Sequence, residues 1–253
     1  RAGSPLGIDR ACITDSMTKD DITALAGKVS GLESVFSVSG NPADHPLSGL
    51  IVKEESLSAS QKLSEGLSRI SGPLPGAVNA LVRYEELLHR EGRAAFSDLE
   101  EACVSIGTWE SAEDEKRKLL ATWAPEALDL QPLALKQEWE GAKDSFILFR
   151  YFKKKSFIKK TRIYNMSLTA ENADGEIDAL LSYSRMRRDM PEGAVRAGEL
   201  SADDRNTLKS LQEALHAMSG VAEIELPSLK DAEARMQSWL GSTGKARDWA
   251  YWC

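Results

Sequence analysis

The sequence predicts an all-α fold, built as elongated antiparallel helical hairpins or a bundle and coiled-coil-like in places. Three observations predict it. Apolar residues recur at intervals of three and four through most of the 253 residues. No convincing strand alternation of useful length interrupts them. Short polar or Pro/Gly-rich turns separate the apolar stretches, as connectors between neighbouring antiparallel helices do.

Thr18 is placed to cap the first helix, with Asp20 and Asp21 complementing its N-terminal dipole. Ile22, Leu25, Val29, Leu32 and Phe36 then fall on one face. A turn-rich segment follows through Ser39-Gly40-Asn41-Pro42 and His45-Pro46-Leu47-Ser48-Gly49, with a short extended stretch at Leu50 to Val52. Ser56 or Ser58 opens the next helix, in which Leu57, Leu63, Leu67 and Ile70 recur at helical spacing. Gly72-Pro73-Leu74-Pro75-Gly76 breaks or kinks it, and a new helix starts near Pro75 and runs to about His89.

Ser97 begins a short helix with Leu99, Cys103 and Ile106 inward. A separate helix is expected from Ser111 to about Trp123, capped by Ser111 with Asp114 in its first turn. Pro132 marks another start, with Leu135, Trp139, Ala142 and Phe146 striping one side, and this helix is expected to run on into the segment that follows. Further helices are expected at Glu176 to Arg188, Ser201 to Met218 and Leu229 to Leu240. The domain division expected is an N-terminal helix and turn-rich His-Pro segment over residues 1–55, then a long helical region over 56–253.

Charge singles out one stretch. Ser145 to Ala170 holds no acidic residue and seven basic ones: Arg150, Lys153, Lys154, Lys155, Lys159, Lys160 and Arg162. The chain as a whole carries a net charge of −7, and without this stretch it holds 25 basic residues against 39 acidic ones. An acidic body with one concentrated positive segment is the layout of a local phosphate-binding site. Aromatic residues are interleaved with the charge. Tyr151 and Tyr164 are candidate base-stacking platforms, whereas Phe149, Phe152 and Phe157 are read as core. The plainer reading is a solvated helix whose Lys stems cover an apolar face while their amines stay in water.

Other chemistry is hard to find. No phosphate-binding loop, dinucleotide fingerprint or nucleophile elbow occurs. His45, His89 and His216 lie in different elements without metal-ligand spacing. The acidic doublets Glu54-Glu55, Glu85-Glu86, Glu100-Glu101 and Asp203-Asp204 point in diverging directions on helices and suit solvated faces. The six tryptophans are read as packing anchors, with Trp249 and Trp252 sharing a face. Neither catalysis nor a cofactor nor a metal is expected, nor a small-molecule ligand. No apolar run reaches the ~20 residues of a membrane span. Three well-separated cysteines, Cys12, Cys103 and Cys253, are expected to be reduced thiols of a cytoplasmic protein. The sequence starts without Met and stops at Trp249-Ala250-Tyr251-Trp252-Cys253 within a helical pattern, so the chain is expected to be a piece of a larger protein.

Three blocks, in order, carry a resemblance. They are His45-Pro46-Leu47-Ser48-Gly49 with the Leu-rich helix after Ser56, then Trp139-Glu140-Gly141-Ala142-Lys143 leading to Phe149-Arg150-Tyr151-Phe152-Lys153-Lys154-Lys155 and Arg162, then Asp248-Trp249-Ala250-Tyr251-Trp252. Over roughly residues 45–253 the chain resembles the helical insertion, or stalk, of large bacterial superfamily-one DNA helicases that often carry a C-terminal Vsr-like endonuclease domain. The resemblance implies a non-catalytic accessory region whose partners are the ATPase core of its parent and DNA, the latter held without regard to sequence. Arg150, Tyr151, Lys153, Lys154, Lys155, Lys159, Lys160, Arg162 and Tyr164 would be its contacts. The competing expectation is a protein-interaction scaffold in which carboxylates from neighbouring helices cover the lysines.

Overall fold

A computed structural model of the chain describes residues 18–39, 44–53 and 57–243. Ten α-helices and two three-residue strands make up its regular structure among these residues, so the fold is all-α. Contacts divide the chain into two units, Arg1–Leu50 and Ile51–Cys253.

The first unit contains α1 (Lys19–Ser39). Thr18 caps its start as expected, and Asp21 makes the cap reciprocal: the Thr18 hydroxyl accepts from the Asp21 amide at 3.2 Å, and the Asp21 carboxylate accepts from the Thr18 amide at 2.9 Å. On its apolar side Ile22 is exposed and Leu25 and Val29 are half-buried. The side chains of Leu32 and Phe36, like the Gly40-Asn41-Pro42 turn, lie outside the described residues.

The second unit is a helical bundle. β1 (Leu50–Val52), which spans the boundary, pairs with β2 (Ala222–Ile224), and the Lys53 amide donates to the Val221 carbonyl at 2.8 Å. α2 (Leu57–Ser71) buries Leu63, Leu67 and Ile70 completely. The Gly-Pro segment then breaks the chain as its prolines require, and α3 (Leu74–Leu87) begins with Pro75 in its first turn.

From residue 96 the order departs from expectation. The two helices expected between Ser97 and Trp123 are one helix of 25 residues, α4 (Phe96–Leu120). Ser111 does not cap anything: its hydroxyl donates back to the Gly107 carbonyl at 2.8 Å, a mid-helix bond that leaves the backbone ladder intact. A 3-10 turn, Pro125–Asp129, leads to α5 (Pro132–Lys143). α5 stops before the basic segment instead of running into it, because Phe146 takes an extended conformation (φ −49°, ψ 142°) and starts α6 (Ile147–Thr161) afresh. α7 (Ala173–Arg188), α8 (Glu192–Glu199), α9 (Ala202–Met218) and α10 (Leu229–Thr243) complete the unit. The sequence pattern did not show α8.

Most principal contacts join helices distant in sequence. α2 packs on α9 and α10, α3 on α9, and α4 on α8 and α9. Arg83 of α3 pairs with Asp204 of α9 at 2.5 Å, and Lys209 of α9 with Glu110 of α4 at 2.9 Å. α5 and α6 form a sequence-adjacent pair, and it is antiparallel: Glu138 meets Lys160, and Trp139 meets Phe157. One apolar cluster gathers Leu119, Trp123, Trp139, Phe157, Ile177 and Leu180 from α4 to α7 and carries the basic segment on its surface. Trp239 is fully buried, while Trp249 and Trp252 lie outside the described residues. No helix among the described residues is long and apolar enough to cross a membrane.

Candidate nucleic-acid interface

α6 is anchored at one end only. In its second half Phe157, Ile158 and Thr161 are buried, with the Phe157 ring 5.3 Å from that of Trp139. In its first half nothing is buried: from Phe146 to Lys153 every side chain is exposed. Phe149 and Phe152, expected in the core, are 61% and 68% exposed, whereas Phe157 is 3% exposed. Their helical spacing was real, but the helix extends past the body that would have covered them. Burying a Phe is worth about 1.5–3 kcal/mol, so each exposed ring forgoes a substantial stabilisation.

A turn over residues 162–172 supplies the wall opposite α6. Asn165 is buried; its amide nitrogen donates to Glu176 at 3.0 Å, and its oxygen accepts from the Ser167 hydroxyl and amide. Thr169 and Asn172 then close on one another, the Asn172 oxygen accepting from the Thr169 amide at 2.7 Å. Arg162 ties helix to turn by donating to the Leu168 carbonyl at 3.3 Å. Between helix and turn lies an open groove of about 480 Å³, lined by Tyr151, Lys154, Lys155, Ile158, Lys159, Arg162, Thr169 and Ala170. Four of these eight residues are cationic and none is acidic. On a helix, residues 151, 155, 159 and 162 advance by three and four, so their convergence follows from their spacing.

The groove therefore brings together five of the nine residues proposed from sequence and leaves four out. Lys160 points toward α5 and pairs with Glu138 at 2.9 Å. Arg150 and Lys153 are exposed but do not line the groove. Tyr164 is half-buried against the apolar cluster and its ring is not a free platform. Its backbone carbonyl accepts from the Ala124 amide at 2.6 Å.

Within the groove two cations rest on rings. The Lys154 ammonium lies 5.3 Å from the centre of Trp139, and that of Lys155 lies 5.9 Å from the centre of Tyr151. The Trp139 indole beneath Lys154 donates to the exposed carboxylate of Asp174. Hydrogen bonding to Lys143 chiefly holds the Asp174 carboxyl below the usual carboxylate range, and the Trp139 indole and the charge of Lys154 act in the same sense. Thr169 and Ala170 escaped sequence reasoning, because only the turn places them across from the helix.

Among the described residues no group of three His, Cys, Asp or Glu side chains is placed to hold a metal. No protein-family model matches the chain, and no curated protein or solved structure is significantly similar to it.

Proposed function

We propose that α6 and the 162–172 turn make a sequence-nonspecific contact with the phosphate backbone of DNA, within a non-catalytic helical accessory module of a DNA helicase. The observation that carries the contact is the groove itself: Lys154, Lys155, Lys159 and Arg162 converge on one open cleft that no carboxylate lines. Such a cleft neutralises phosphates and releases their counterions without reading bases. A scaffold whose lysines served internal ion pairs would show them covered. Among the described residues, Lys160 is ion-paired to a neighbouring helix, whereas Lys155, Lys159 and Arg162 have no carboxylate partner. The helicase parent rests on the sequence resemblance, and its ATPase core is the intramolecular partner that this reading requires.

The test is binding of labelled DNA by fluorescence anisotropy at about 50 and about 200 mM salt. A triple variant carrying Lys155→Glu, Lys159→Glu and Arg162→Glu is run in parallel. Binding that weakens with salt and disappears in the variant supports the reading. Undiminished binding by the variant, or no binding by the folded wild type, contradicts it.

A further inference from the structure

Beyond the cationic groove, the same face of α6 continues as a pair of exposed aromatic rings. At 100° per residue, positions 148, 151, 152, 155, 159 and 162 share one side of the helix. Arg162, Lys159 and Lys155 occupy the half packed on the body, and Tyr151, Phe152 and Leu148 the half that projects beyond it. Tyr151 is 66% exposed, Phe152 is 68% exposed, and their rings meet edge to face at 5.7 Å and 79°. Lys155 sits over Tyr151 at the junction of the two halves.

From this continuity we infer that the polyanion taken by this face is single-stranded nucleic acid, with the backbone in the groove and bases stacked on Tyr151 and Phe152. The inference rests on the phosphate contact proposed above and adds the class of ligand. A duplex hides the faces of its bases, so exposed rings contribute nothing to it. A single strand presents a π-face at every nucleotide, whatever its sequence. Rings and cations on one helical side match the two chemically different parts of a single strand, apolar base and charged phosphate. The edge-to-face contact holds Tyr151 and Phe152 against each other and limits the side-chain freedom that stacking would otherwise have to quench. An acidic polypeptide would satisfy the cations but leave the rings without a specific use.

The experiment compares four probes at about 50 and about 200 mM salt. They are an oligothymidylate of about 16 nucleotides, an abasic strand of the same length, a duplex, and polyglutamate. The expected result is tightest binding to oligothymidylate. Tyr151→Ala and Phe152→Ala each weaken that binding about tenfold; Phe152→Ala, outside the groove lining, leaves the abasic strand's affinity and salt slope unchanged, and Phe152→Trp restores the binding. Both side chains are exposed, so the substitutions leave the fold intact, which a thermal melt verifies. Equal affinity for thymidylate and abasic strands overturns the stacking inference while sparing the phosphate contact. Polyglutamate binding as tight as oligothymidylate makes the face a dock for acidic polypeptide and overturns the inference. Failure to bind any of the four overturns the inference and the proposed function together.

Discussion

The ammonium of Lys154 lies 5.3 Å from the centre of the Trp139 ring, and the same indole donates its Nε1–H to Asp174 at 3.0 Å. One fully buried side chain thus links the groove on α6 to the start of α7, while Phe157 packs on its face. Replacing Trp139 with Ala should cost about 3–5 kcal/mol through the cavity it leaves. Trp139→Phe should cost less, about 1–3 kcal/mol, since it keeps an aromatic ring but drops the bond to Asp174. Urea denaturation measures both. An unchanged midpoint for Trp139→Ala would contradict the anchoring role.

Glu85 is buried in α3, and its Oε1 accepts from the Ala94 amide at 2.9 Å. Ala94 holds a left-handed backbone (φ 52°), and its carbonyl receives the Leu229 amide at the start of α10. Burial pushes the Glu85 carboxyl above the usual carboxylate range; Asp98 adds to this, while the Ala94 and Arg93 amides oppose it. The folded chain therefore favours protonated Glu85. This contribution to stability is fully present below the unfolded value of about 4.3 and is lost as pH rises through the raised folded value. Glu85→Gln keeps the acceptor and removes the titration. Its stability relative to wild type should increase with pH from about 4 upward, as read from urea unfolding at several pH values. Parallel curves would show that Glu85 does not titrate as described.

Two glycines predict opposite outcomes. A Cβ on Gly198 would clash with the Trp109 indole, where α8 closes on α4. That indole is already engaged by Arg205, whose guanidinium is 4.2 Å from its ring centre. Gly198→Ala should therefore destabilise by about 1–3 kcal/mol. Gly107, inside α4, meets nothing within 4 Å, and Gly107→Ala should stabilise by about 0.5–1 kcal/mol. Thermal melts of the two variants should move in opposite directions, and a rise in both would refute the packing at α8.

Burial pushes the Cys103 thiol up to about 11, with Lys209 opposing it slightly. Near pH 8 its thiolate fraction should be about 100-fold below that of an ordinary cysteine. Iodoacetamide labelling read by peptide mass spectrometry should find Cys103 correspondingly slow in native protein and fast in urea. Rapid native labelling would mean that the α4–α9 contact opens.

Local patterns revealed helices well where the pattern and the packing share a cause. Leu63, Leu67 and Ile70 repeat at helical spacing because that side faces the interior. Ser111 misled because a serine before an acidic turn resembles a cap, whereas here it bonds back to Gly107 within a helix whose buried stripe runs from Leu99 to Leu119. α8 was illegible because it packs through Ala194, Ala197 and Gly198, residues too small to raise an apolar signal. The candidate site divides the same way. Composition marked the cations, but which of them converge depends on a turn built by Asn165 and Asn172. Phe149 and Phe152 read as core in the sequence because periodicity records which side of a helix is apolar and not where the body beneath it ends.

The most direct test of the central claim is the slope of log affinity against log salt for single-stranded DNA. Wild type is compared with Lys155→Ala, Lys159→Ala and Arg162→Ala, and with Lys160→Ala as a control already engaged by Glu138. If the groove holds phosphates, each of the first three should lower the magnitude of the slope by about 0.7 and Lys160→Ala should leave it near wild type. Slopes that are unchanged in the groove variants, or equally reduced in all four, would contradict a phosphate site in this groove.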